Sequence, residues 1–209
     1  MTDRPAPGQD AIEAAMARLY PGRTPRRVGY RPGRGEPGGA LAGCAAYPAD
    51  GHWHYIGYGL SELHQAGPEE DPEFSGWGFE LTLRVRRGAE STAPGWPFDI
   101  VQHLARHVNT RLVILEPGHR LDLRRPATGH PTLPDAPPTG LTGFALTVDP
   151  GLGELVTPNG KVLFLQAVGI TPAEQTRIRE HGADTVLAEL ATGNPLLITD
   201  PARAHPPSG

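Results

Sequence analysis

The chain has 209 residues, a formal net charge of −4 and one cysteine, Cys44, which fits one large domain and excludes an internal disulfide framework or an all-cysteine metal site. The mild charge, without a basic stripe interleaved with aromatic residues, argues against nucleic acid as the partner. A lone thiol and the lack of any apolar run of about 18 residues predict a cytoplasmic protein that does not enter a membrane.

The first predicted element is a helix over Asp10–Tyr20, which ends at Pro21-Gly22. Its apolar residues recur at i, i+3, i+4 and i+7 and form one face, which comprises Ile12, Ala15, Met16 and Leu19. The following segment, Gly22–Gly39, is rich in Arg, Pro and Gly. We predict an irregular connection there, with its arginines either in solvent or in a partner-binding patch.

Two strands are predicted over Leu41–Tyr47 and Trp53–Leu60, joined by a turn at Pro48–Gly51. The next segment, Ser61–Gly76, carries the acidic run Glu69–Glu73 and is predicted to be a surface loop. Trp77–Arg86 alternates strictly between apolar and polar residues, which predicts a half-buried strand.

A second helix is predicted over Pro97–Thr110, because its apolar residues share one side. Short strands follow at Arg111–Leu115, Arg120–Arg124 and Leu141–Val148, with a proline-rich connection before the last of them.

The C-terminal part begins with a predicted hairpin. Glu154–Thr157 and Lys161–Val168 flank Pro158-Asn159-Gly160, and Asn-Gly between apolar runs favours a tight turn. Thr171-Pro172-Ala173-Glu174 is a capping box that begins a helix extending to about His181. A short helix over Asp184–Ala191 and a strand over Pro195–Thr199 complete the pattern.

This order of elements favours hairpins over βαβ units. It predicts an α+β fold with a central, mostly antiparallel (mixed) sheet flanked by helices. We expect a flexible N-terminus over residues 1–9, a single domain over residues 10–200 and a flexible tail over residues 201–209.

Histidines suggest a metal-dependent hydrolase as the alternative function from another class. His52 and His54 share a face of a predicted strand. His103 and His107 are four apart on a predicted helix, a spacing that lets both rings reach one ion. However, Leu104 stands where a zinc protease carries its glutamate. We therefore favour structural roles for these histidines and predict neither a metal nor another cofactor.

Nucleophiles are equally scarce. The four serines, Ser61, Ser75, Ser91 and Ser208, all lie outside a G-x-S-x-G motif. Cys44 lies among small apolar residues, where a buried and inert thiol is usual. No glycine-rich phosphate loop is present. The residues alone therefore predict no reaction, and we expect a protein that is not an enzyme.

Several segments, taken together and in order, resemble the Suppressor of fused (SUFU) domain family. They span roughly residues 41–201, about three-quarters of the chain, and comprise Gly57–Leu63, Gly76–Thr82, Trp96-Pro97, Gly118-His119, Thr157–Gly160, Phe164–Thr171 and Leu197–Asp200. The resemblance implies an α+β domain with helices packed around a central sheet. It also implies a function in binding a partner protein.

In animals this family restrains Hedgehog signalling by holding a short peptide of a transcription factor. The peptide adds as a strand between this domain and a second, C-terminal domain, which these 209 residues do not include. Only Lys161 among the 19 basic residues is lysine, a bias typical of GC-rich bacterial genomes. Bacterial relatives are often proposed as immunity proteins that neutralise a toxin. The resemblance therefore implies a toxin as partner, with a general peptide-binding adaptor as the alternative.

By similarity, the partner-binding elements are expected to be the segment Gly118–Arg124 and the strand Val162–Val168. The expected mode is strand addition, in which an extended segment of the partner pairs its backbone with the sheet. The predicted contact residues are His119, Arg120, Asp122, Arg124, Val162, Phe164 and Gln166. An ordinary charged surface turn is the competing interpretation of Gly118–Arg124. The acidic run Glu69–Glu73 is a further candidate, because complementary charge speeds association with a basic toxin.

Overall fold

Helices and strands alternate irregularly along the chain in the computed structural model, which describes residues 5–30, 41–65, 73–133 and 136–203. The helices in these ranges are α1 (Pro7–Leu19), α2 (Trp96–Arg111), α3 (Pro172–His181) and α4 (Ala183–Gly193). The strands are β1 (Arg26–Gly29), β2 (Gly43–Ala49), β3 (His52–Tyr58), β4 (Phe74–Arg86), β5 (Arg120–Asp122), β6 (Gly143–Val148), β7 (Glu154–Thr157) and β8 (Gly160–Ile170).

All eight strands belong to one mixed sheet with the order β1-β2-β3-β4-β8-β6-β5, and β7 pairs with the first part of β8. Among the strands of the described residues, only β4 and β8 run parallel, with Leu81 opposite Leu165, and the other pairs are antiparallel. This arrangement confirms the predicted α+β class and the mostly antiparallel sheet. It also places β8 in the middle and leaves β1 and β5 at the two edges.

Helix α2 covers one face of the sheet, where the largest apolar cluster forms. Its buried residues Phe98, Val101 and Leu104 belong to the same cluster as Leu81 and Leu83 of β4. Burial of each such side chain contributes roughly 1.5–3 kcal/mol, so this layer is the main source of stability.

The opposite face is covered by three helices in two groups. Ile12 and Met16 of α1 pack with Phe164 of β8, and Ile178 of α3 and Val186 of α4 pack in a separate cluster. Because both faces are covered, the polar side of β4 is buried as well. The prediction that this strand is only half-buried, with its polar side in solvent, is therefore wrong.

Most predicted elements are confirmed, with four differences, the first of which is that β4 begins at Phe74, inside the predicted loop Ser61–Gly76. Arg111–Leu115 is not a strand, because α2 extends to Arg111 and is closed by Leu112, whose φ of 53° lies in the left-handed region. Pro195–Thr199 contributes only a single bridge, from Thr199 to Val85. Conversely, the segment predicted to be irregular contains β1.

Residues 201–203 continue to contact the domain. The hydroxyl of Thr139 donates to the carbonyl of Pro201, and Arg203 donates to the Glu174 carboxylate and to the carbonyl of Gly169. No helix among the described residues is long and apolar enough to cross a membrane.

Candidate functional site

A buried polar network lies beneath α1, on the polar side of β4. Arg84 donates from Nη1 and Nη2 to the two carboxylate oxygens of Asp149, at 2.7 and 2.9 Å, and it also donates to Gln166. Thr82 donates to the same carboxylate at 2.8 Å. Arg84 is only 1% exposed, so this ion pair is fully desolvated. Removal of one partner from such a pair strongly destabilises the folded protein, because the other charge stays buried without compensation.

Two histidines and a tyrosine extend this network. His54 Nε2 lies 3.0 Å from Asp149 Oδ2, and its Nδ1 lies 2.9 Å from the Tyr20 hydroxyl, which is also 3.4 Å from His52 Nε2. Burial and the neighbouring guanidinium of Arg84 lower the pKa of His54 to about 4. The ring is therefore neutral at pH 7.

The order Asp149–His54–Tyr20 has the form of a catalytic relay, but its electrostatics do not suit catalysis. Burial opposes ionisation of Asp149, whereas His54 and Arg84 favour it strongly enough to hold the pKa of Asp149 well below its ordinary value. Burial also raises the pKa of Tyr20. A carboxylate already saturated by arginine and a hydroxyl that resists ionisation do not make a nucleophile. We assign this network to structure.

A second buried carboxylate fixes the loop after β3. Glu80 Oε1 accepts hydrogen bonds from the backbone N–H groups of Gly59, Leu60 and Ser61 at 2.8, 3.1 and 2.9 Å, and from the Ser61 hydroxyl at 2.7 Å. Burial raises the pKa of Glu80 to about 7, against the opposing effect of these four donors. Glu80 therefore acts as an anchor inside the fold, a role that its place in a polar alternation did not reveal.

The metal alternative gains no support from geometry. His52 and His54 are buried in the network described above, and His103 and His107 lie on the exposed side of α2. Among the described residues, no three His, Cys, Asp or Glu side chains come together in a way that could hold an ion. Cys44 is buried, and burial raises the pKa of its thiol, which makes it a poor nucleophile.

Three of the predicted contact residues lie inside the fold. Val162, Phe164 and Gln166 are all 0% exposed, and the side-chain amide of Gln166 donates to the carbonyls of Leu196 and Leu197. Both edges of β8 are occupied, by β4 on one side and by β6 and β7 on the other. An added strand has no place at β8 in this structure, so we withdraw these three residues as surface contacts.

The other four predicted residues lie on or beside an edge strand. Arg120 and Asp122 belong to β5, and His119 and Arg124 flank it; Arg120 is half-buried and the rest are exposed. The carbonyl of His119 accepts from Leu146 N–H, and Leu123 N–H donates to the carbonyl of Thr142. Because backbone groups alternate in direction along a strand, those of Arg120 and Asp122 face away from the sheet.

A groove runs along this outer edge. Its volume is about 440 Å³, and it lies between α2 and the segment that contains β5; it is lined by His103, Leu104, His107, Arg120, Leu121, Asp122, Leu123 and Arg125. Residues from both faces of β5 line it, so the groove follows the backbone edge itself. The predictions missed the wall formed by His103, His107 and Arg125. Of these three residues, Arg125 could have been found from the sequence, because it ends the basic stretch Arg120–Arg125.

A second groove, of about 470 Å³, continues along α2 and shares His103 and Arg125 with the first. Its other walls are contributed by residues such as Tyr30 and Asp99. The two grooves together form one channel beside α2, bordered at one end by an open sheet edge. We call this channel the α2–β5 groove. An extended polypeptide fits such a site, because it can pair its backbone at the edge and place side chains in the groove.

The acidic run Glu69–Glu73 lies largely outside the described residues. Of its members only Glu73 is described, and its carboxylate lies 3.7 Å from Lys161 Nζ.

Comparison with known proteins agrees with this architecture. Residues 40–204 match the family model for the Suppressor of fused protein (SUFU). The human Suppressor of fused homolog is 35% identical over 165 residues, which cover 74% of this chain and 32% of the human protein. The chain thus spans about a third of the length of this curated relative.

Solved structures show the same fold. A chain of the Sufu–Fu complex crystal structure superimposes with a TM-score of 0.84 at 28% identity, covering 97% of this chain and 93% of that one. Drosophila Suppressor of Fused gives a TM-score of 0.83 at 28% identity, covering 96% of this chain and 51% of that one.

Proposed function

This chain belongs to the Suppressor of fused family, and we propose that it is a non-catalytic domain that binds a partner protein by capturing an extended segment in the α2–β5 groove. The observation that carries this proposal is the outer edge of β5, which pairs with no strand among the described residues and lies directly beside the groove. The backbone groups of Arg120 and Asp122 point outward there and are available for strand addition. A relative in the Sufu–Fu complex supports protein binding as the general activity.

The finer proposal is that the partner is a toxin and that the domain acts as an immunity-type inhibitor. A general peptide-binding regulatory adaptor is the alternative within the same class. Both use the same physical device, a preformed edge and groove that order one extended segment, and they differ only in the partner.

Strand addition is tested by removing one outward N–H group. Asp122→Pro deletes the donor without touching the hydrogen bonds to β6, because proline is tolerated where the N–H of an edge strand faces solvent. The matched control is Asp122→Ala, which loses the same side chain, including its hydrogen bond to Arg124 N–H, but keeps the donor. The probes are peptides selected on the wild-type protein from a random peptide library.

We expect Asp122→Pro to weaken binding of the selected peptides by about tenfold relative to Asp122→Ala, the effect of losing one backbone hydrogen bond. Circular dichroism and thermal unfolding confirm that both variants are folded. Equal affinities for the two variants would show that partners do not pair with this edge.

The immunity role is tested in cells. Co-expression of the chain with a toxin encoded beside its gene should restore growth, and Asp122→Pro should reduce that protection. Neutralising the run Glu69–Glu73 should also weaken protection against a basic toxin, since complementary charge accelerates association. Protection that is unchanged by either substitution would contradict this use of the domain.

A further inference from the structure

Positive charge that is not used within the fold is concentrated at the α2–β5 groove. The side chains of Arg120, Arg124 and Arg125 form no hydrogen bond or ion pair with any of the residues that the structure describes. Arg120 and Arg125 line the groove, and Arg124 is the neighbour of Arg125 in the chain. His103 and His107 stand on the facing wall, where burial and the adjacent Arg125 lower the pKa of His103, so this ring is a neutral hydrogen-bonding group at pH 7. The groove and its continuation along α2 also carry Arg106 and the carboxylates of Asp122 and Asp99.

The other edge of the sheet is different. On β1, Arg26 donates to the carbonyl of Ala93 and lies 5.1 Å from the ring centre of Phe98, and Arg27 pairs with Glu13 at 2.9 Å. The arginines of β1 are therefore used to hold that edge to the body of the protein. Those at β5 have no such role, although the whole chain has a net charge of −4.

The loop beside the groove exposes two large apolar side chains. The loop that joins α2 to β5 connects its two walls, and it exposes Leu112 to 75% and Ile114 to 60%. Large apolar side chains at such exposure are favourable contact points for a partner. Leu121 and Leu123, which are half-buried, contribute further apolar surface along the groove itself.

We propose that the α2–β5 groove selects an acidic extended segment, in which Asp or Glu side chains alternate with aliphatic ones. This specificity rests on the proposed function and adds the chemistry of the partner to it. Alternate side chains of an added strand point to opposite faces, so one set meets Arg120 and Arg124 while the other set contacts Leu121 and Leu123 on the side of α2. A protein segment fits better than nucleic acid, because only a polypeptide satisfies the outward backbone groups of Arg120 and Asp122.

The test compares three capped peptides of about eight residues, a length typical of strands. They alternate valine with glutamate, serine or lysine. Binding is measured by chemical-shift changes of the isotope-labelled protein at low salt, where surface electrostatics are least screened. We expect the glutamate peptide to bind about tenfold more tightly than the serine peptide and the lysine peptide to bind least, with shifts centred on β5 and α2.

A charge reversal locates the effect. Arg125→Glu should lower the affinity for the glutamate peptide by about tenfold and raise the affinity for the lysine peptide. The control is Arg18→Glu, at an exposed position on α1, which makes the same change in total charge. It should leave both affinities within about twofold of the wild-type values. The serine peptide should bind both variants like the wild-type protein. A single-stranded oligonucleotide of equal charge serves as the competitor from another class.

The outcomes separate the two levels of the proposal. If all three peptides bind at β5 with equal affinity and lose it in Asp122→Pro, strand addition stands and the acidic preference is refuted. If none binds at β5, strand addition itself fails. If the oligonucleotide binds this groove more tightly than the glutamate peptide, the groove recognises negative charge in another class of partner and the acidic-segment proposal is overturned.

Discussion

The substitution Glu80→Gln tests the most unusual electrostatic feature of the fold, a buried carboxylate that fixes a loop. The carboxyl group has a pKa of about 7 in the folded chain and an ordinary value of 4.5. Between these two pH values the folded state binds more protons at Glu80 than the unfolded state does. The stabilising contribution of protonated Glu80 is therefore complete below about pH 4.5 and is lost as the pH rises through 7. This difference corresponds to about 3 kcal/mol.

Glutamine has the same shape and cannot titrate. Its carbonyl can still accept from Gly59, Leu60 and Ser61, but its amide N–H₂ stands where Glu80 Oε2 is buried without a hydrogen-bond partner among the described residues. That mismatch costs about 1–3 kcal/mol at every pH. The prediction therefore concerns the pH dependence of the difference in stability, and not its sign at one pH.

The assay is urea unfolding of both proteins between about pH 5 and 8.5, which yields a difference in the free energy of unfolding at each pH. We expect the variant to gain about 2–3 kcal/mol relative to the wild-type protein over this range. The comparison of the two proteins is needed because His54 changes the stability of both in the opposite direction. Its pKa of about 4 is below the ordinary 6.5, so its stabilising contribution is lost as the pH falls from 6.5 to 4.

A difference curve that is flat across this range would refute the reasoning. It would mean that the four donors around Glu80 fully compensate its burial and that the carboxylate is ionised throughout. A curve of the expected slope in Glu80→Gln, together with an unchanged slope in Glu62→Gln on the same loop, would tie the effect to the buried group. Glu62 lies on the exposed side of that loop.

Two further substitutions test the polar interior and one helix end. Arg84→Met should destabilise the protein by about 3–5 kcal/mol, because it leaves Asp149 buried without its permanent counter-charge, and adding Asp149→Leu should restore part of that loss in urea unfolding. Thr171→Ala removes the side chain that accepts from Glu174 N–H and should cost about 1 kcal/mol, whereas Thr176→Ala, on the exposed side of α3, should change thermal unfolding little.

Local chemistry made much of the fold predictable. The Asn-Gly turn between β7 and β8 and the capping box at Thr171 each depend on a few adjacent residues, and both are confirmed. Helices α1 and α2 followed from apolar spacing, with ends that differ by one to three residues because helix termini depend on caps and on neighbouring segments.

Elements defined by distant contacts were not predictable in the same way. Strand β1 has no apolar pattern, and only its pairing with β2 makes it a strand. The polar residues of β4 were expected to face solvent. Instead α1 covers that face, and Arg84 and Thr82 meet Asp149, a residue 65 and 67 positions away along the chain, which no local pattern reveals.

The candidate site depends on distant contacts in the same way. The strand that contains Phe164 was expected to bind a partner by similarity to the family, yet its continuous apolar sequence suits a central strand with both faces covered. The segment around Arg120 has only a weak strand pattern, because an edge strand of three residues is too short to show a clear alternation. Its significance depends on the sheet order, which becomes visible only when β4, β8 and β6 are seen to pair.

Under the proposed function, the edge at β5 must bind a partner and still resist self-association. Charged side chains on an edge strand disfavour pairing with other sheets, and Arg120, Asp122 and Arg124 meet this need. An antiparallel copy in register at Asp122 would place like charges opposite one another, with Asp122 facing Asp122 and Arg120 facing Arg124. An acidic segment that places its carboxylates opposite Arg120 and Arg124 meets no such penalty. Under the proposal, these two arginines thus serve both to oppose pairing with a second copy and to select an acidic partner, whereas Asp122 serves only the first purpose.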